Sequence, residues 1–236
     1  MLNTPELSDM LKCGVHFGHQ SSKRHPKMSP YIFTIRNQIH IIDLEQTAKK
    51  LKEAMDFIAK TVATGGTVLF ISSKRQAQAL IEKYAKECGM PYINSRWLGG
   101  TFTNFVNIIR LTKKLKELEQ KQAGGELEKY TKKEQLDFNR EISRLSGLVG
   151  GIKGMNRIPE AVFVVDIKKD KTAVREANKK NIPVIAMVDT NTNPSKISYP
   201  IPANDDAAKS IDMIIGCMAE AVKEGQERQK TVAVPS

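Results

Sequence analysis

Hydrophobic positions fall into two alternating rhythms along most of this chain. Short, continuous apolar runs occur at 67–71 (TVLFI), 161–166 (AVFVVD) and 182–188 (IPVIAMV). Runs of that length without polar alternation predict strands covered on both faces. Between them lie segments whose apolar residues recur three and four apart. Leu51, Ala54, Met55, Ile58 and Val62 do so within 45–64, and Ala77, Leu80, Ile81 and Tyr84 within a helix that runs to about residue 86. Gly65-Gly66 and Gly89 stop these two helices. A short strand at 91–94 and a helix at 172–180 continue the pattern. A last strand at 198–203 carries two prolines, which suggests a sheet edge. Asn204-Asp205-Asp206 caps a final helix to about residue 226. Strand–helix alternation predicts an α/β fold with a doubly wound parallel sheet and right-handed crossovers.

The pattern changes twice. Residues 1–30 read as mostly irregular, apart from a short helix at 4–12 with Thr4 as N-cap and Pro5 at its first position. Two β-rich runs, 31–35 and 39–44, flank Arg36-Asn37-Gln38 and predict a hairpin or an edge pair. After residue 105 the chain becomes long, charged and helical. Ile108, Leu111, Leu115 and Leu118 step by three, four and three, a heptad seam. Gly124-Gly125 breaks it, and 127–145 resumes with Leu127, Tyr130, Phe138, Ile142 and Leu145 on one side. The two seams predict an antiparallel helical hairpin over 105–146, inserted after the third core strand, with arms about 27 Å long. The globular body is then 1–104 with 147–228, and the tail 229–236 is expected to be disordered.

The stretch at 94–105, NSRWLGGTFTNF, joins body and arm. It holds the single Trp (Trp97) and one charge (Arg96) in a chain that is 27% charged. Gly99 and Gly100 allow positive φ or a close backbone approach. It reads either as a hinge or as a loop with a buried Trp. On the hinge reading it sets the arm's angle, and Val at Gly99 or Gly100 should weaken function more than loss of one surface Lys.

Charge narrows the partners. The formal net charge is +11 and the sequence pI about 9.5, which favours a polyanion, nucleic acid before membrane surface. A membrane-surface role needs a basic amphipathic helix with bulky apolar residues, and the only such faces belong to core-facing helices. Three cysteines (Cys13, Cys88, Cys217), odd in number and far apart, imply no disulfide framework and fit a reducing compartment. The first residues show no signal-peptide pattern and no apolar run approaches a bilayer span, so a cytosolic protein is expected.

Ligands of open parallel sheets sit at the carboxyl ends of the strands. Here those ends carry Ser72-Ser73-Lys74-Arg75, Asn94-Ser95-Arg96-Trp97, Asp166-Ile167-Lys168-Lys169, Asp189-Thr190-Asn191 and Asn204-Asp205-Asp206. No glycine-rich turn follows the first core strand, and Gly-rich 147–154 follows no strand, which argues against a nucleotide- or sugar-phosphate enzyme. No Walker loop, GxSxG or HExxH is present, and all four histidines lie in the first 40 residues. Asp189, Asp205 and Asp206 could meet at one edge, or serve as caps and Asx turns. Cys13, His16 and His19 are three apart but lack a second ligand pair. Whether they bind zinc, touch RNA or pack stays open, and no metal or other cofactor is expected. Lys23, Arg24, Lys27, Arg36, Lys74, Arg75, Arg96 and Lys153 are the candidate phosphate contacts. Trp97 is a candidate for stacking on a base or for anchoring the hinge.

Several segments, in one order, carry a more specific signal. They are Gly14-Val15-His16-Phe17-Gly18-His19, Pro26-Lys27-Met28, Ile39-His40-Ile41-Ile42-Asp43-Leu44, Arg96-Trp97-Leu98-Gly99-Gly100-Thr101, Val188-Asp189-Thr190-Asn191 and Tyr199-Pro200-Ile201-Pro202. With them the chain resembles the family of the second protein of the bacterial small ribosomal subunit, over nearly its whole length. It departs at Arg24-His25, where that family often has Trp-Asn, and at Ser198, where an acid is common. The resemblance implies a flavodoxin-like α/β domain with a helical hairpin. It also implies a structural role in the subunit, binding its rRNA and neighbouring proteins, among them the large mRNA-binding protein one. It implies no enzymatic activity and no small-molecule substrate.

Overall fold

The computed structural model describes residues 4–232. The first helix, α1, spans Leu7–Lys12, later than the expected 4–12, because Glu6 at its N-cap is extended (φ −67°, ψ 152°). Three strands follow: β1 (Phe17–Gln20), β2 (Ile32–Arg36) and β3 (Ile39–Ile42). They form an antiparallel sheet in the order β1-β3-β2. The β2–β3 hairpin turns on Asn37 and Gln38, both with positive φ (49° and 60°), as a two-residue primed turn requires. β1 was not expected. Its residues, FGHQ, have no strand periodicity, and its pairing with β3 is a tertiary event.

The main sheet matches the pattern of apolar runs. Helix α2 (Leu44–Ala63) leads to β4 (Val68–Ile71), α3 (Arg75–Glu87) and β5 (Tyr92–Ile93). After α4 (Phe105–Ala123) and α5 (Lys132–Val149) come β6 (Ala161–Val164), α6 (Lys171–Lys179), β7 (Val184–Val188), β8 (Tyr199–Pro202) and α7 (Ala208–Val232). All five strands are parallel, in the order β5-β4-β6-β7-β8. The main sheet therefore starts at β4, one strand in from the β5 edge, and winds both ways, with Pro200 and Pro202 on the other edge strand.

Each central strand feeds two cores, which is why its run is continuously apolar. Val68, Phe70, Phe163, Ile185 and Met187 pack with α2, α3 and α7. Leu69, Ile71, Val162, Val164 and Ala186 pack with α6 and with Trp97, Phe102 and Ile152. At about 25 cal/mol per Å² of apolar area removed from water, these two layers supply the main driving force of folding. Gly151 seals the β5 edge. A side chain there would collide with the Tyr92 carbonyl, so the backbone lies directly on the strand.

Helices α4 and α5 lie against each other. Lys114 Nζ bonds Glu141 at 2.9 Å and Gln122 Nε2 bonds Asn139 at 2.9 Å. Ile108, Leu115, Leu118, Leu145 and Val149 are buried between them and the body. α5 starts at Lys132 rather than 127, because Thr131 and Glu134 form a capping box there. Leu127 lies in a short 3-10 turn, and Tyr130 is extended. At the other end of the chain, α7 continues through Val232, so residues 229–232 are helical rather than disordered. No proline interrupts the helix before Pro235, and 233–236 lie outside the described residues.

Candidate functional site

The carboxyl edge of the sheet gathers charge. The turn after β4 places Lys74 at the N-terminus of α3, where its ammonium points across the strand ends. Its Nζ lies 2.8 Å from Asp205 Oδ1, 2.6 Å from Asp206 Oδ1 and 3.8 Å from Asp166 Oδ2. Lys74 and Asp205 are buried, at 6% and 4% exposure. Burial opposes the Lys74 charge, but its bonds to Asp205 and Asp206 outweigh that and hold its pKa above the ordinary value. Burial, together with the nearby Asp189 charge, pushes Asp205 up to about 7 against the pull of Lys74. Asp206 is more exposed. Burial raises it, but the Lys74 bond together with the Lys74 and His19 charges outweighs that, and its pKa falls.

His19 closes the cluster from β1. Its Nδ1 is 2.9 Å from Asp189 Oδ2, and its Nε2 is 3.5 Å from Asp206 Oδ2. Contact with the Asp189 carboxylate, opposed by burial, raises the His19 pKa. The His19 amide donates to Thr190 Oγ1 at 2.9 Å, so β1 is sewn to the loop after β7. His19, Asp189 and Asp206 offer ligand atoms within 4.8 Å of one another. One imidazole and two carboxylates are a donor set that suits a divalent cation such as zinc. Cys13 and His16 are not in that set. The three aspartates do meet, and capping operates beside them: the Asn204 side chain accepts from the Asp206 and Ala207 amides.

The sign of the pH dependence follows. Asp205 binds its proton more tightly folded, at about 7, than at the ordinary 3.8. Its ionisation therefore costs stability as pH rises from about 4 to 7. The His19 contribution is complete below 6.5 and is lost as pH rises through its raised folded value. Both slopes have one sign, and below 6.5 they are opposed by His16, whose pKa burial lowers. Thermal melts in chelator should show a higher Tm at pH 5.5 than at pH 8, with Asp205→Asn flattening the profile. A Tm that rises over that interval contradicts this account.

The second cluster roots α4. Glu176, on the inner face of α6, turns its carboxylate into the 97–103 loop. It accepts from Trp97 Nε1 (3.1 Å), Gly100 N (2.7 Å), Phe102 N (3.0 Å), Thr103 N (3.3 Å) and Thr103 Oγ1 (3.3 Å). Burial alone would raise its pKa, but these donors, led by the Gly100 and Phe102 amides, keep it lowered. Trp97 is 8% exposed and packs edge-on to Phe102, with ring centroids 4.9 Å apart. That is the geometry of a core anchor. Sequence reading did not single out Glu176. An acid on the apolar face of a predicted helix was the available signal, and its partners lie more than 70 residues away.

The remaining candidate contacts separate into groups. Lys23, Arg24 and Lys27 are exposed on a segment held to the loop after β7 by His25 N to Thr190 O (2.8 Å) and Lys27 Nζ to Ser195 Oγ (2.7 Å). Arg75 and Arg96 are exposed near strand ends, and Arg36 is exposed at the end of β2. Lys153 is exposed but pairs with Glu119 at 3.0 Å. Lys74 is spent on internal ion pairs, because the acids that follow β8 fold back onto it.

Comparison with known proteins matches this sequence to a family. A family model described as Ribosomal protein S2 matches residues 10–225. A protein of Dehalococcoides mccartyi strain BAV1, "Small ribosomal subunit protein uS2", is 47% identical over 231 residues, 98% of this chain and 94% of that protein. The protein of the same description from Fusobacterium nucleatum is 47% identical over 227 residues, 96% of this chain and 92% of its own.

Proposed function

Because the chain belongs to the ribosomal protein S2 family, we propose that it is a small-subunit protein that binds rRNA through phosphate contacts and docks on neighbouring ribosomal proteins. Its role is structural and not enzymatic, and its place is the cytoplasmic ribosome. The observation that carries the reading is 47% identity across 98% of the chain to proteins of that subunit. Lys23, Arg24, Lys27, Arg36, Arg75, Arg96 and Lys153 provide exposed positive charge that positions the protein without reading sequence. Lys74 and Trp97, both buried, act behind this surface. The parallel sheet is of the flavodoxin-like kind. The α4–α5 pair, residues 105–146, serves as an antiparallel hairpin inserted into the 1–104 and 147–228 body and reaches RNA or protein. Among the protein neighbours, the family resemblance favours the large mRNA-binding protein one.

Binding of the full chain to small subunits washed free of this protein, followed across a salt series, tests the reading. With several phosphates neutralised, log affinity should fall against log salt with a slope on the order of −4. A flat line removes the electrostatic mechanism.

The two glycines of the loop now separate. Gly100 has φ +94°, a backbone conformation that strains any side chain, whereas Gly99 has no such φ and a side chain there meets nothing within 4 Å. Gly100→Val should weaken incorporation into subunits by several-fold, and Gly99→Val should behave as wild type. Equal incorporation of the two variants would remove the hinge from this account.

A further inference from the structure

A cleft of about 350 Å³ lies where the loop after β7 meets α6, and none of the contacts above uses it. Its floor is apolar, formed by the buried Ile167, Val174 and Ile197. Its rim is cationic. Lys168, Lys171, Arg175 and Lys196 line it, all four are exposed, and no Asp or Glu is among the lining residues. Among the described residues these four cations make no ion pair, whereas Lys86, Lys114, Arg144, Lys153 and Lys223 each have an acid partner. Asn191, half-buried, is one of the lining residues, and its Oδ1 is buried without a hydrogen-bond partner among the described residues. Leaving such an acceptor unpaired costs about 1–3 kcal/mol, so a donor is expected to meet it in the working state. His25 also lines the cleft.

An unpaired nucleobase has the matching features. It is an apolar plate with N–H donors on its edge, and it carries a phosphate on either side. An acidic peptide would satisfy the cations but leave the apolar floor and the Asn191 oxygen without a reason. A duplex presents no free base. We infer that this cleft takes one unpaired base of small-subunit rRNA, with the half-buried Asn191 side chain turning so that its Oδ1 accepts from the base edge, and with the flanking phosphates held by Lys168, Lys171, Arg175 and Lys196. The inference rests on the ribosomal reading and adds a contact outside the candidate phosphate contacts, at two of the strand ends that the sequence marks.

The test uses the full chain and small subunits washed free of it, in a salt series, with UV crosslinking of the bound state. The variants are Lys171→Ala/Arg175→Ala/Lys196→Ala together, and Asn191→Ala alone. The triple variant should reduce the salt slope by about 2, because each lost phosphate contact removes about 0.7–0.9. Asn191→Ala should weaken binding on the order of tenfold with the slope unchanged. Both should melt as wild type does, since the substituted side chains hold no hydrogen bond or ion pair among the described residues. Crosslinking should leave a nucleotide adduct on peptides within 167–197. Wild-type slope and affinity in both variants, or a protein crosslink there in place of a nucleotide, overturns the cleft while the ribosomal reading stands. Failure of the wild-type chain to bind removes both.

Discussion

Replacing Lys74 with Met is expected to lower the melting temperature by roughly 10 °C at pH 8. Lys74 lies between Asp205, Asp206 and Asp166 at the carboxyl edge. Removing one partner of a buried ion pair leaves an uncompensated charge, at a cost of about 3–5 kcal/mol. In a protein of this size each kcal/mol moves Tm by about 2–4 °C. The loss should shrink at pH 5.5. Asp205 already holds a proton up to about 7 with Lys74 present, and without the lysine it holds one more firmly. Lys74→Met/Asp205→Asn should then recover part of the lost stability. The same measurement separates two roles for the lysine. A phosphate contact would lower the salt slope of subunit binding by about 0.7–0.9 and leave Tm unchanged. The structure leads to the reverse: a large drop in Tm and an unchanged slope. A wild-type Tm for Lys74→Met at pH 8 would show that the cluster does not need its cation.

The second large effect is expected at Glu176. Glu176→Ala removes an acceptor shared by the Trp97 indole, the Gly100, Phe102 and Thr103 amides and the Thr103 hydroxyl. Unsatisfied buried donors cost about 1–3 kcal/mol each. Water can reach part of a site that is 8% exposed, so the net loss should be about 3–4 kcal/mol, below the simple sum. The local signature is more telling than the global one. Hydrogen exchange should accelerate at the 100, 102 and 103 amides before it does in β4 or β6. Glu176→Gln keeps one acceptor oxygen but turns an NH2 toward amide donors, so it should fall between Ala and wild type. Uniform acceleration across the main sheet in Glu176→Ala would mean that the carboxylate supports the core in general and not the root of α4.

These two sites show where sequence reading stops. The 94–105 stretch could be read as special, through its lone Trp, its Gly pair and its low charge. Its anchoring could not, because the anchor sits on α6. Lys74 could be read as a cation at a strand end, which favours a phosphate ligand. Only the fold shows that the acids following β8 reach it first. β1 was missed for a related reason: FGHQ has no periodicity of its own and is a strand because β3 lies beside it. The start of α5 was placed too early, at 127, although Thr131 and Glu134 form a capping box that the sequence also contains.

From the sequence alone came the order of strands and helices of the main sheet, the parallel sheet itself, the proline-bearing edge strand, the basic charge and the family. These rest on short-range signals: apolar periods of a few residues, turn chemistry at fixed offsets, and motifs read one after another. Only the tertiary structure decided which charges neutralise one another. Lys74 meets Asp205 across 131 residues of chain, and His19 meets Asp189 through the sewing of β1 to the loop after β7. Coulomb energy and desolvation depend on distance and burial in space, and a linear sequence holds neither.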